Sequence, residues 1–256
     1  MLDFPYRSML IVRLQHYTAL GTTMSSIKGK GHCSTCPIRH LSIFAELPVE
    51  RLGQIQNFQP AVMHYQAGET IYHQGALAQS AYTLRKGMIK LTKSLPNGRT
   101  QIIRVLGAGE LFGFDGFADE NYSHSATPLC TIEVCRLPFA ELVHLKKQYA
   151  EIDAAMTQRW LQYLRAAENH MLALGVMKAP ERLASFLVNW YDSGHITTEG
   201  VALPLARGEM GELLGLTIET VSRFISEWKR KGFISETKGY LKLLDRAALL
   251  KTACSD

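Results

Sequence analysis

The sequence predicts an α+β chain in three parts: a β-barrel of jelly-roll type, one long helix, and two short helices followed by a hairpin. Three patterns predict it. Between about Phe58 and Pro138, short alternating segments are separated by turn residues, as in barrels and sandwiches. From Glu141 to Leu174, apolar residues recur every three or four positions, the period of a helix. From Leu205 to Arg230, two amphipathic stretches meet at Gly215.

The totals narrow the function classes. The 256 residues suffice for two modest domains, and 46% hydrophobic residues supply a core. The net charge of +5 suits a nucleic-acid partner only weakly, because residues 178–256 carry eleven Lys and Arg against ten Asp and Glu. Any anionic partner must therefore meet a local patch. No apolar run approaches the roughly 20 residues of a membrane span. Met9–Val12 is too short for a signal-peptide core and lies between Arg7 and Arg13. The expected compartment is the cytoplasm, where the five cysteines serve as core thiols, metal ligands or redox groups rather than structural disulfides. The chain offers no nucleophile–base pair, phosphate-binding glycine loop or carboxylate cluster, so no enzyme is expected.

Residues 1–30 lack periodicity and are expected as a flexible extension, with Met24 as an alternative start. In residues 31–147 the barrel follows a cysteine loop. Cys33 and Cys36 form a C-x-x-C followed by Pro37, with His32 and His40 close by, a spacing that lets both sulfurs reach one metal. Phe44–Leu52 reads as a short helix. Gly68, Gly75, Gly87, Gly98 and Gly107 punctuate the strands, and Asn97-Gly98 is the strongest hairpin signal. Cys130–Cys135 reads as a strand with Cys130, Ile132 and Val134 toward the core and Cys135 on the other face. Over residues 148–177, Ile152, Met156, Trp160, Leu164, Ala167, Met171 and Leu174 make a narrow stripe suited to pairing with a second helix; the same stripe also suits packing on the barrel. Lys178-Ala179-Pro180 marks a hinge into residues 178–256, where Glu181–Tyr191 is a helix and Asp192–Gly200 a polar loop.

The last part carries the clearest chemistry. Met210, Leu213 and Leu214 give the first short helix a buried face; Gly215 supplies the left-handed stop and Thr217 the next N-cap. The second helix turns Val221, Phe224, Ile225 and Trp228 inward and Glu219, Ser222 and Arg223 to a separate polar face. That trio suits base edges: arginine can bond two guanine acceptors, glutamate can accept from cytosine, and serine adapts. Lys229, Arg230 and Lys231 at the helix end suit phosphates, or simply a helix C-terminus. Phe233–Leu244 reads as a hairpin turning at Lys238-Gly239.

The run from Arg207-Gly208-Glu209 through Gly215-Leu216-Thr217-Ile218-Glu219-Thr220-Val221-Ser222-Arg223 resembles the DNA-binding motif of the CRP/FNR family of bacterial transcription regulators, and Glu219-x-x-Ser222-Arg223 resembles its FNR-like branch. The resemblance implies a winged helix-turn-helix at residues 178–256, contacting DNA through Thr217, Glu219, Ser222, Arg223, Lys229 and Lys238. It implies a homodimer paired through the long helix, a palindrome of the TTGAT…ATCAA type, and RNA polymerase as a further partner. Gly107–Gly113 resembles part of a cyclic-nucleotide-binding barrel, but Tyr122–Ala126 lacks the family's arginine, so no cyclic nucleotide is expected. The Cys33/Cys36 loop and Cys135 resemble the iron–sulfur ligands of the oxygen-sensing branch. A [4Fe–4S] cluster on Cys33, Cys36 and Cys135 follows as an expectation, with Cys130, His32 or His40 as the fourth ligand, because Ser42 and Phe44 stand where that branch carries a further cysteine. The same residues leave open a thiol–disulfide switch, a zinc on His32, Cys33, Cys36 and His40, or haem or another effector in the barrel.

Overall fold

The computed structural model describes residues 27–48, 50–51, 60–194 and 196–254. The N-terminal part packs two antiparallel sheets face to face. One runs β1-β2-β8-β3-β6, from Ile27–Lys30, Ala61–Tyr65, Ile132–Pro138, Ser80–Lys86 and Leu111–Phe112; the other runs β5-β4-β7, from Thr100–Leu106, Ile89–Ser94 and Ser125–Pro128. Asn97-Gly98 closes the β4–β5 hairpin, with Gly98 N–H on Leu95 O. A short helix α1 spans Gly116–Asp119.

Alternation along β8 gives the larger sheet two buried faces. Ile132 and Val134 join Tyr65, Leu84, Ile89 and Ile102 between the sheets. Cys135 and Leu137 point the other way and join a second apolar layer with Ile43, Phe44 and Leu47 of the cysteine loop. Helix α2 (Phe139–Gln148) adds Leu142 and Leu145 to that layer, and α3 (Ala150–Val176) adds Ile152 and Met156. Tyr149 interrupts the stretch expected as one helix: its backbone is extended (φ −130°, ψ 103°) and its ring is buried in the same layer.

The loop is fixed from below at Gly109, whose N–H bonds Leu84 O at 2.7 Å with φ 90°. A Cβ there would lie 2.4 Å from Leu41 Cβ, so only glycine lets the loop approach.

The C-terminal part has α4 (Ala179–Ser193), α5 (Arg207–Leu214), α6 (Ile218–Arg230) and α7 (Arg246–Ala253). Its sheet runs β10-β11-β9, from Ile234–Thr237, Tyr240–Leu243 and Val201–Ala202. β10 and β11 meet at Lys238 (φ 50°) and Gly239 (φ 81°), two left-handed residues that match the twist of a tight hairpin. α5 packs on β5, so the parts touch.

Several expectations shift. Ile27–Lys30, read as extension, pairs with β2 through a bulge, and the earlier residues lie outside those described. The helix expected over Phe44–Leu52 is a run of turns through Leu47, helical only at Glu50 and Arg51, and Leu52 is outside the described residues. β8 begins at Ile132, leaving Cys130 in a bend, where its Sγ accepts from Met88 N–H at 3.2 Å. The stripe on α3 divides: Ile152 and Met156 are buried on the protein's own barrel, Leu174 is half-buried, and Trp160, Leu164, Ala167 and Met171 are exposed, as are Leu161, Leu172 and Val176 outside the stripe. Among the described residues no helix is long and apolar enough to cross a membrane.

The Gly109 contact is testable. Gly109→Ala is expected to lower stability by about 1–3 kcal/mol in urea titration, through overpacking and a strained φ. An unchanged midpoint would mean that the loop does not rest on Gly109.

Candidate functional site

Two regions gather the chemistry. In the first, α5 ends at Gly215 (φ 62°, ψ 43°), whose N–H reaches Gly211 O. Thr217, with extended backbone, caps α6 by accepting from Thr220 N–H at 3.3 Å. Val221, Ile225 and Trp228 are buried and Phe224 packs partly beneath. This burial fixes the helix's rotation. Thr217, Glu219, Arg223 and Lys229 are left exposed, and Ser222 half-buried between them. Lys238 is exposed at the tip of the hairpin. The Glu219 carboxyl is held below its usual range by its own backbone N–H and then by the Thr217 hydroxyl, so it presents acceptors only. The Arg223 guanidinium lies 4.9 Å from the Phe224 ring centroid. Lys231 is drawn back to Glu227 at 2.6 Å.

Two supports were not visible in the sequence. Arg207 pairs with Glu236, clamping α5 to the hairpin. Arg182 on α4 donates to Leu174 O at 3.0 Å, Met177 O at 3.2 Å and Gly215 O at 3.3 Å, joining the end of α3 to the turn between α5 and α6. Neither has a sequence signal, because each partner lies on another element.

The second region is a cavity of about 20 Å³ lined by Cys33, Cys36, Ile38, Arg39, Ser42, Phe44, Pro60, Thr83, Cys135 and Leu137. It brings together three predicted cysteines, and the three other candidates lie apart. Cys130 is on the opposite face of the sheet in the barrel core, while His32 and His40 are exposed and line none of it. His40 borders a separate polar cleft of about 380 Å³ beside Glu110, Gln158 and Arg159. Burial pushes the Cys33 thiol up to about 12, helped by the Cys135 and Cys36 thiols. Burial likewise pushes Cys135 up to about 11, opposed by Arg85.

As they stand, the described residues hold no three His, Cys, Asp or Glu side chains gathered closely enough to bind a metal ion. Three soft sulfurs, the donor type of iron–sulfur groups, nonetheless line one cavity, and the Thr83 hydroxyl in its wall is buried without a hydrogen-bond partner. Metal sites are rarely preassembled without the metal, whose charge favours the thiolates that burial disfavours.

Between the sheets, Tyr72 stacks on Tyr122 at 3.8 Å, Tyr82 at 5.8 Å and Phe112 at 6.2 Å. Tyr72 Oη lies 2.9 Å from His124 Nε2, within the Tyr122–Ala126 run. Aromatic rings therefore fill the barrel beside that run. At its rim, Glu110 accepts from Gly107 N–H at 2.7 Å and pairs with Arg104, which stacks 3.6 Å over Tyr163 of α3.

The family described as Cyclic nucleotide-binding domain matches residues 62–149, and the Crp-like helix-turn-helix domain matches residues 181–252. The chain is 30% identical over 226 residues to the Nitrogen fixation regulation protein FixK of Bradyrhizobium diazoefficiens, covering 86% of this chain and 94% of that one. It is 29% identical over 227 residues to the Transcriptional activator protein anr of Pseudomonas aeruginosa, covering 88% and 93%. It is 29% identical over 225 residues to the Fumarate and nitrate reduction regulatory protein of Escherichia coli, covering 87% and 90%. The structure of FixK2 from Bradyrhizobium japonicum superposes with a TM-score of 0.71 at 27% identity, covering 77% of this chain and 98% of that one.

Two outcomes are expected. In reduced, metal-free protein, iodoacetamide near neutral pH labels exposed Cys254 first and Cys33 and Cys135 slowly, because their thiolates are scarce. Rapid labelling of Cys33, read by mass spectrometry, would show that the loop stands away from the sheet. The second concerns Glu110, which burial raises from 4.5 to about 7 against the pull of Arg104, Gly107 N–H and Arg159; Tyr163 also faces it. A folded value above the unfolded one makes its stabilising contribution complete below 4.5 and lost as pH rises through about 7. The advantage of Glu110→Gln over the parent in urea titrations should therefore grow across that window. A constant difference would mean Glu110 stays ionised throughout.

Proposed function

Because the chain belongs to the CRP/FNR family and is a DNA-binding transcription regulator of the FNR, FixK and Anr type, we propose that it reads an FNR-type palindrome as a homodimer under the control of oxygen or redox state. The observation that carries the DNA reading is the trio of exposed Glu219 and Arg223 with half-buried Ser222 between them on the first turns of α6, beside a capped N-terminus. Arg223 matches the guanine and Glu219 the cytosine of a TTGAT…ATCAA half-site, and Ser222 adapts to the neighbouring base. Lys229 and the hairpin's Lys238 meet phosphates and set the register. Leu161, Leu164, Met171, Leu172 and Val176 leave α3 with an uncovered apolar face. A second copy on that face places two recognition helices against a twofold site. RNA polymerase is the further partner, and the cytoplasm the compartment.

The observation behind the signal is the shared cavity of Cys33, Cys36 and Cys135. A [4Fe–4S] cluster bound there supplies chemistry that oxygen can destroy. The three thiols hold it between loop and sheet, next to the layer that α3 enters. A disulfide switch is the weaker reading: burial keeps Cys33 and Cys135 as thiols, poor nucleophiles for exchange. A cyclic nucleotide is not the effector, because Tyr122–Ala126 offers no arginine and rings fill the space beside it.

Anaerobic gel shifts test both parts. The palindrome should outcompete a scrambled duplex, and Arg223→Ala should cost about 1–3 kcal/mol per half-site while melting and dimerisation stay unchanged. Equal competition under argon and in air sinks the DNA reading. Protein purified anaerobically should carry iron and acid-labile sulfide, and iron-free, colourless protein sinks the cluster.

A further inference from the structure

The joint between the long helix and the DNA-reading turn is gathered by one side chain. Two extended residues, Met177 (φ −77°, ψ 140°) and Lys178 (φ −69°, ψ 159°), separate α3 from α4. Arg182, in the first turn of α4, reaches back across them. Its Nη1 donates to Leu174 O at 3.0 Å and Met177 O at 3.2 Å, and its Nη2 to Gly215 O at 3.3 Å. All three carbonyls stand at helix C-termini, whose last four acceptors have no partner within the helix. Leu174 lies in the last turn of α3, Met177 is its C-cap, and Gly215 is the C-cap of α5. A cation there is favoured by the negative ends of two helix dipoles at once.

The packing agrees with the hydrogen bonds. A Cβ built on Gly215 would lie 3.0 Å from Leu174 Cδ2, so the turn rests directly on the end of α3. One turn earlier on α3, burial and then the Arg182 charge hold the His170 imidazole below its usual range. Thr217 caps α6 two residues after Gly215. Whatever fixes Gly215 relative to α3 therefore fixes where Glu219, Ser222 and Arg223 are presented. We infer that Arg182 is a positioning residue that sets the spacing of the two DNA half-sites, by locking the turn before α6 to the end of the pairing helix. The inference rests on the homodimer and palindrome reading above.

Arginine is suited to this place because its planar fork holds several acceptors in one fixed geometry, whereas lysine offers a point charge on a flexible stem. With two copies of α3 paired, one base pair added between half-sites moves the second by about 3.4 Å along the duplex. It also turns that half-site by about 35°, given roughly 10 base pairs per turn. A turn tied to α3 through Arg182 follows such a change poorly, and a turn released from it follows more easily. The partly solvated Lys90–Glu209 pair still ties α5 to the barrel and limits the swing, so the effect is partial. Base reading is set separately, by the Thr217 cap and the burial of Val221, Ile225 and Trp228. Loosening the joint thus acts on spacing and leaves base choice as it was.

The test uses the full chain in gel-shift titrations. TTGAT…ATCAA palindromes carry the spacer that the parent binds most tightly, or that spacer lengthened or shortened by one base pair. The parent, Arg182→Met and Arg182→Lys are compared. The parent should favour its preferred spacer many-fold over the other two. Arg182→Met should shrink that ratio several-fold, and Arg182→Lys nearly as much. Replacing the half-site guanine should cost the parent and both variants the same factor. An unchanged spacer ratio in Arg182→Met, including equal weakening on every spacer, overturns the inference and leaves the palindrome reading standing. So does a parent indifferent to spacer length, or a variant that no longer discriminates the guanine. A parent that prefers no palindrome overturns that reading and the inference with it. Should Arg182→Met fail to melt cooperatively, Arg182→Lys decides by the same ratio.

Discussion

The structure depends on the two-sided burial of one strand. β8 sits between β2 and β3, so both its faces need apolar cover. The inner face takes it from the second sheet. The outer face has no third sheet, and the cysteine loop and the first turns of α2 and α3 cover it together. Removing roughly 25 cal/mol of unfavourable hydration per Å² makes that shared cover worth several kcal/mol. The loop that can carry a signal and the helix that can transmit it are therefore parts of one packed layer.

The two halves of α3 answer to different partners. Its first turns bury Ile152 and Met156 on the barrel; its later turns expose Leu161, Leu164, Met171, Leu172 and Val176. A straight helix drifts by about 20° per heptad against a strict seven-residue repeat, so one stripe cannot face the barrel and a second helix over its whole length. The sequence merges the two faces because periodicity records that a position is apolar, not what covers it. Trp160 stands at the changeover, stacked on Phe114 at 5.8 Å yet 43% exposed.

Where each side chain faces its own element, the sequence was readable. The Gly215 stop, the Thr217 cap and the inward set of α6 follow from local rules and stand where those rules put them. So does the division of Ile132 and Val134 from Cys135 across β8. Contacts made across elements were not readable. Thr83 looks like any threonine in a strand until β3 is set beside β8. β1 has no pattern of its own and exists through pairing with β2. Cys130, His32 and His40 carry ligand chemistry in the sequence, but geometry sends Cys130 to the inner core and leaves both histidines on the surface.

A change at the cysteine loop reaches α6 only if it alters the relative stability of two arrangements of the molecule. Beside the packing of α5 on β5, two routes among the described residues join the barrel side to the DNA-reading end. One is Lys90 with Glu209 at 2.7 Å, whose side chains are 21% and 23% exposed; such a partly solvated pair contributes on the order of 1 kcal/mol. The other is the path along α3, roughly 40 Å at 1.5 Å per residue, to Leu174, where Arg182 bonds Leu174 O and Gly215 O. Its near end is set in an apolar layer worth several times the ion pair. Arg159 of α3 also donates to Leu41 O in the loop, and Arg51 pairs with Glu151 at 2.8 Å. The larger energy thus lies along the helix. If the proposed metal drew the loop in, the seat of α3 would change first, and the angle between two paired copies would follow from that seat, because the far end of the helix is fastened to the turn that aims Glu219 and Arg223.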